Sequence, residues 1–144
     1  MPLPGLGVGN SNPGLIIGID ALAPRDVLAE VWSVNNSPHT ILLRWNGSAW
    51  KRIAFPYAAG IPTPLVPDGH GGIWFTVDTG NPPVLSLWFV HDSGGQWTKT
   101  AVPSWHGEQP DIFYMSSIPG TRSIWATGDL ADSGVGEAIL KYGP

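Results

Sequence analysis

The chain has 144 residues, no cysteine, and a formal net charge of -4 from 11 acidic and 7 basic side chains. Only 12% of residues are charged, about half the ~25% of an ordinary globular protein, while 19 glycines, 15 prolines and eight tryptophans are present. Seven scattered Lys and Arg exclude a nucleic-acid footprint, missing thiols exclude a disulfide scaffold or zinc–thiolate site, and 42% apolar residues exclude a disordered chain.

One domain is expected, since ~100–200 residues per domain is the usual size. Met1-Pro-Leu-Pro-Gly5 has no positively charged leader, and the first basic residue is Arg25. Residues 1–14 read as an N-terminal segment. Within it Gly5–Gly9, with Leu6 and Val8 alternating around glycines, is a candidate closing strand. The run Leu15-Ile-Ile-Gly-Ile19 stops at Asp20, far short of the ~20 residues of a membrane span, so none is expected.

From Leu15 onward the chain reads as short strands rich in β-branched and aromatic residues, bounded by Gly, Pro, Asn and Asp. The first unit, residues 15–55, carries Leu15–Ala21, Val27–Val34, Thr40–Trp45 and Trp50–Phe55. Asn46-Gly47 between the last two predicts a tight hairpin, because both residues accept positive φ. Arg25 to Val31 is the best helical window, only about two turns long, and it matches strand segments elsewhere. The second unit covers 63–102 and the third 112–143, where the chain stops before a fourth strand can form.

The units repeat. Trp32, Trp74 and Trp125 each follow a branched apolar residue, at steps of 42 and 51 residues. Trp45, Trp88 and Tyr142 follow in a second strand, and Trp50 and Trp97 in a third. Units of ~40–50 residues with about four strands have the size of propeller blades. The expected fold is therefore all-β, with propeller-type repeats forming about three four-stranded blades, the third incomplete at the C-terminus. The aligned aromatics are expected to fill the wedges between blades.

The Leu42-Leu-Arg-Trp-Asn-Gly-Ser-Ala-Trp50 segment resembles the Trp-rich repeat propellers of bacterial surface and secreted proteins. Those combine an Asp-Val-Trp-Ala-Val-Gly strand with a Trp-Asn-Gly-x-x-Trp hairpin. Pro67-Asp-Gly-His-Gly-Gly-Ile-Trp-Phe-Thr76 is similar to streptogramin-lyase-type blades. Asp92-x-Gly94-x-x-Trp97 is similar to the Asp-box of sialidase-type propellers, with Val90 replacing the usual Ser or Thr. The resemblance implies a shared scaffold without a shared reaction, and an extracellular or cell-surface setting.

An incomplete ring exposes terminal faces and an unpaired edge. Either the N-terminal segment completes the third blade and two copies form a six-blade ring, or the chain belongs to a longer ring. Self-assembly is the favoured expectation, because the chain opens with Met and closes near a repeat boundary. The expected function is a non-catalytic interaction or structural module whose partner is itself, with a glycan or another protein as a further partner. Carbohydrate binding is the first alternative and a fragment of a propeller hydrolase or lyase the second.

The site candidates follow from position. Trp105 is out of register with the repeat. In the stretch Val102-Pro-Ser-Trp-His-Gly107 it sits with His106 on the connection between the second and third units; Tyr57 is placed similarly after the first. Exposed aromatics on connections suit stacking on a sugar or packing on a partner, though plugging the end of the core is the commoner role. Arg44 beside Trp45 is the candidate polar contact of a lectin-like site, but Leu87 and Lys141 replace it in the other units. His39, His70, His91 and His106 read as turn residues without metal-ligand spacing, so no metal or cofactor is expected. Asp68 and Asp92 open glycine-rich turns whose amides they can cap. No catalytic constellation assembles: Gly-x-Ser-x-Gly is absent.

Overall fold

The computed structural model describes residues 15–33, 39–57, 65–81, 84–105, 107–130 and 136–144. The N-terminal segment 1–14, with the candidate closing strand Gly5–Gly9, and His106 lie outside the described residues. Three antiparallel sheets make up the fold, and no helix occurs among the described residues. Sheet one contains β1 (Leu15–Ala23), β2 (Asp26–Ser33), β3 (His39–Trp45) and β4 (Trp50–Ile53), paired in chain order. Sheet two contains β5 (Val66–Pro67), β6 (Ile73–Asn81), β7 (Val84–Ser93) and β8 (Gln96–Ala101), again in order. Sheet three contains, among the described residues, β9 (Asp111–Ser117), β10 (Ile124–Asp129) and β11 (Glu137–Tyr142), with β11 at its edge. The all-β, repeat-built expectation is met, including the short third unit. No strand of one sheet pairs with another sheet among the described residues, so nothing there closes a ring.

Strand alternation decides which side chains meet. Leu28 and Leu42 of sheet one face Ile73, Phe75, Val77 and Val90 of sheet two in one core. Trp74, Leu87 and Phe89 point from the other side of sheet two toward Ile112, Ile124 and Ala126 of sheet three. Sheet two is thus buried on both faces, which is why β6 reads as the nearly continuous apolar run Ile-Trp-Phe-Thr-Val. Burying Phe75 or Phe89 contributes about 2–3 kcal/mol each before chain entropy is charged. The innermost strands β1, β5 and β9 lie side by side, β5 touching both neighbours.

Turn chemistry sets the hairpins. In the β3–β4 hairpin, Asn46 Oδ1 accepts from Ser48 N at 3.1 Å and Ala49 N at 3.0 Å, and Gly47 takes φ of 92°. In the β7–β8 hairpin, Asp92 Oδ1 accepts from Gly95 N at 2.7 Å, the capping expected of that Asp. Both loops place four residues between paired positions, Trp45 with Trp50 and Asp92 with Trp97.

That register corrects two of the aligned landmarks. Trp45 and Tyr142 occupy equivalent places, but sheet two has Asp92 there, and Trp88 lies four residues earlier opposite Val77. Trp74 and Trp125 are equivalent, opposite His91 and Lys141, whereas Trp32 pairs with Thr40 at the far end of β2 and corresponds to Asp78. A slip of four residues is invisible to alternation, because strand side chains repeat every two and the face is unchanged.

Candidate binding surface

The best-defined polar cluster lies between sheets two and three. Asp68, just after β5, turns Oδ1 onto the amides of His70 at 2.7 Å and Gly72 at 2.8 Å. Its Oδ2 accepts from His91 Nε2 at 3.0 Å, since a carboxylate can only accept. Burial works against the Asp68 charge, but the bonds from His70, His91 and Gly72 outweigh it and hold the carboxyl below its ordinary value. The His91 ring stacks on Trp74 with centroids 4.1 Å apart, and Trp74 Nε1 donates to the Arg122 carbonyl at 2.9 Å. Asp68, His91 and Trp74 are all buried, so the cluster joins two sheets and presents no reactive atom to solvent. His91 belongs to strand β7, and His39 begins β3, in place of the turns expected for them.

At the register position of Trp74, the three sheets differ in one respect. Leu28 in sheet one and Trp74 in sheet two are covered by the following sheet, Trp74 to 3% exposure. Trp125, their counterpart in sheet three, is 47% exposed. Around it on the same outward face stand Tyr114 and Ile139, both strongly exposed, with Phe113 beside them at the β9 irregularity. The outward face of sheet one is different. Ala29, Val31, Ile41 and Leu43 are buried with Trp50 against them, while Ile16 and Ile19 of β1 remain exposed.

A second surface adjoins the open edge of sheet three. After β8 the chain runs through Val102, buried, to Trp105, 67% exposed. Trp105 N donates to Glu108 O at 2.7 Å and Glu108 N to Trp105 O at 3.0 Å, a tight turn that Gly107 permits with φ of 89°. Gln109 ties the connection down: Nε2 donates to Val102 O at 2.6 Å and Leu87 O at 3.2 Å, and Oε1 accepts from Leu87 N at 2.9 Å. A groove of about 480 Å³ separates this connection from β11, lined by Pro103, Trp105, Glu108, Glu137, Ile139 and Leu140 among others. A wider and more polar cleft, about 810 Å³, lies beside it with Asp78, Glu108 and Asp111 on its walls. Burial, then the charge of Asp111, raises the pKa of the Asp78 carboxyl. Among the described residues no group of three or more His, Asp or Glu is placed to hold a metal ion.

The remaining contact candidates do not converge on Trp105. Arg44 grips Asp26 through both ends of its guanidinium, with Nε donating at 2.6 Å, and this bond holds the Asp26 carboxyl below its ordinary value. Trp45 pairs with Trp50, centroids 5.9 Å apart, across the hairpin. Tyr57 is half-buried against Phe55, centroids 5.6 Å apart, and lines a separate pocket with Thr40 and Arg52. Trp97 packs edge-on to Phe55 at 5.4 Å, and Trp88 Nε1 donates to Thr79 Oγ1 at 2.8 Å. Trp32 is half-buried on β2, and Tyr142 meets Phe89 face to face at 4.8 Å.

One buried group escaped sequence reading. Glu30 on β2 is fully buried beside Gly18, with neither carboxyl oxygen hydrogen-bonded, and burial pushes its pKa up to about 8. Its setting in Leu28-Ala-Glu-Val31 was the available signal, a lone carboxylate in an apolar strand. No family model, curated protein or solved structure matches the chain.

Proposed function

We propose that the chain is a non-catalytic interaction module of propeller type that assembles with a second copy of itself. The observation that carries this reading is the outward face of sheet three. Trp125 stands exposed at the place where sheets one and two each bury an apolar residue under the next sheet. A large apolar patch at a repeat boundary marks an association surface. The complementary strip on the second copy is Ile16 and Ile19 of β1, exposed on the outward face of sheet one. Sheet three of each copy meeting this exposed β1 strip of the other gives two identical head-to-tail contacts and a closed pair of six sheets.

Light scattering on a sizing column tests this. The expected mass is twice 15.3 kDa, and Trp125→Arg is expected to elute as a folded monomer with unchanged circular dichroism. Species that grow with concentration would replace the closed pair by open stacking. A wild-type chain that stays monomeric at every concentration overturns the proposal.

A further inference from the structure

Among the described residues no strand takes the fourth position of sheet three, and this edge is a surface independent of the sheet's outward face. From the Leu130 N to Gly136 O bond at 2.9 Å, antiparallel alternation turns the N–H and C=O of Glu137, Ile139 and Lys141 toward the open edge of β11. Sheets one and two show what occupies this position. Their fourth strands each carry a tryptophan near the start, followed two residues later by a cation: Trp50 and Arg52 in β4, Trp97 and Lys99 in β8. The register makes these pairs equivalent, with Arg52 opposite Leu43 and Lys99 opposite Val90.

The Lys99 ammonium has a defined seat. It lies 4.1 Å from the Trp88 ring centroid and 5.2 Å from that of Tyr57, an aromatic on the connection leading into its own sheet. The connection into sheet three runs Val102-Pro-Ser-Trp105 where the earlier one runs Phe55-Pro-Tyr57. Trp105 lines a groove with β11 residues, on the connection that corresponds to the one carrying Tyr57. Glu108 and Glu137 line the same groove, and no Lys or Arg does.

We propose that the β11 edge and the Trp105 groove accept an extended segment of the Trp-x-Lys/Arg type as a fourth strand. Backbone pairing along β11 supplies affinity, as in other sheet-edge recognition. Selectivity comes from the cation, which sits over the Trp105 indole beside the Glu108 carboxylate.

The test uses the Trp125→Arg chain, so that self-assembly and strand acceptance fail separately. A fluorescently labelled peptide of residues 95–102 is titrated and its anisotropy followed. Binding is expected to weaken about tenfold when the peptide carries Lys99→Glu, and about tenfold when the protein carries Trp105→Ala. The amides of Glu137, Ile139 and Lys141 are expected to gain hydrogen-exchange protection on binding. Absence of binding overturns the proposal. So does equal binding of the Lys99→Glu peptide, or tighter binding of the uncharged stretch 5–9 supplied as a peptide.

Discussion

Glu30 makes the stability of this protein depend on pH in an unusual direction. Its carboxyl is fully buried between sheets one and two without a hydrogen-bond partner, and burial raises its pKa from an ordinary 4.5 to about 8. Below pH 4.5 the group is neutral in both folded and unfolded chains and costs nothing through ionisation. Above it the unfolded chain releases the proton while the folded chain keeps it, so stability falls as pH rises until the folded group also ionises near pH 8. At about 1.4 kcal/mol per tenfold change in acidity, the whole rise corresponds to about 5 kcal/mol, most of it lost between about pH 5 and about pH 8. Glu30→Gln keeps the shape and removes the titration. Urea unfolding followed by tryptophan fluorescence, from about pH 5 to about pH 8, should show the variant gaining on the wild type throughout the interval. Asp26 and Asp68, whose carboxyls are held low, act in the opposite sense: their stability is lost only as pH falls below about 4, outside this window. A difference between variant and wild type that stays constant across the interval would refute the reasoning.

The equivalence of Trp74 and Trp125 gives an internal control. Trp74→Ala empties a buried site stacked on His91 and should cost about 3–5 kcal/mol, whereas Trp125→Ala in the dilute chain should stay within about 0.5 kcal/mol; thermal unfolding measures both, and equal losses would contradict the assigned faces. Gly128 sits at the irregular pairing of β9 and β10, where an added Cβ would collide with the Asp111 carbonyl oxygen. Backbone cannot yield as a side-chain tip does, so Gly128→Ala should cost about 3 kcal/mol or more, and an unchanged melting midpoint would count against this packing.

Much of the architecture was legible from the chain alone. Alternation, the Asn46-Gly47 turn and the Gly94-Gly95 turn are local properties, and they marked the strands and hairpins of the described residues without reference to distant ones. The repeat was legible for the same reason, and with it the short third unit. Register was not, because a slip of four residues leaves every strand face unchanged, and so Trp32 and Trp88 aligned in sequence with residues they do not match in space. Trp105 stood out by its position between units, but its place beside an open strand edge depends on where β11 ends up.

What composition and short-range pattern determined is the class of structure: β strands in repeated units, with apolar side chains packed between the sheets. Only the tertiary arrangement decided which tryptophan is covered. Trp74 and Trp125 have the same local sequence setting and the same strand position, yet one carries a sheet above it and the other does not. Burial is a property of the neighbour a face receives, and that neighbour is contributed by residues far away in the chain. The same holds for Glu30, whose raised proton affinity comes from the burial of its carboxyl beside Gly18 of a neighbouring strand.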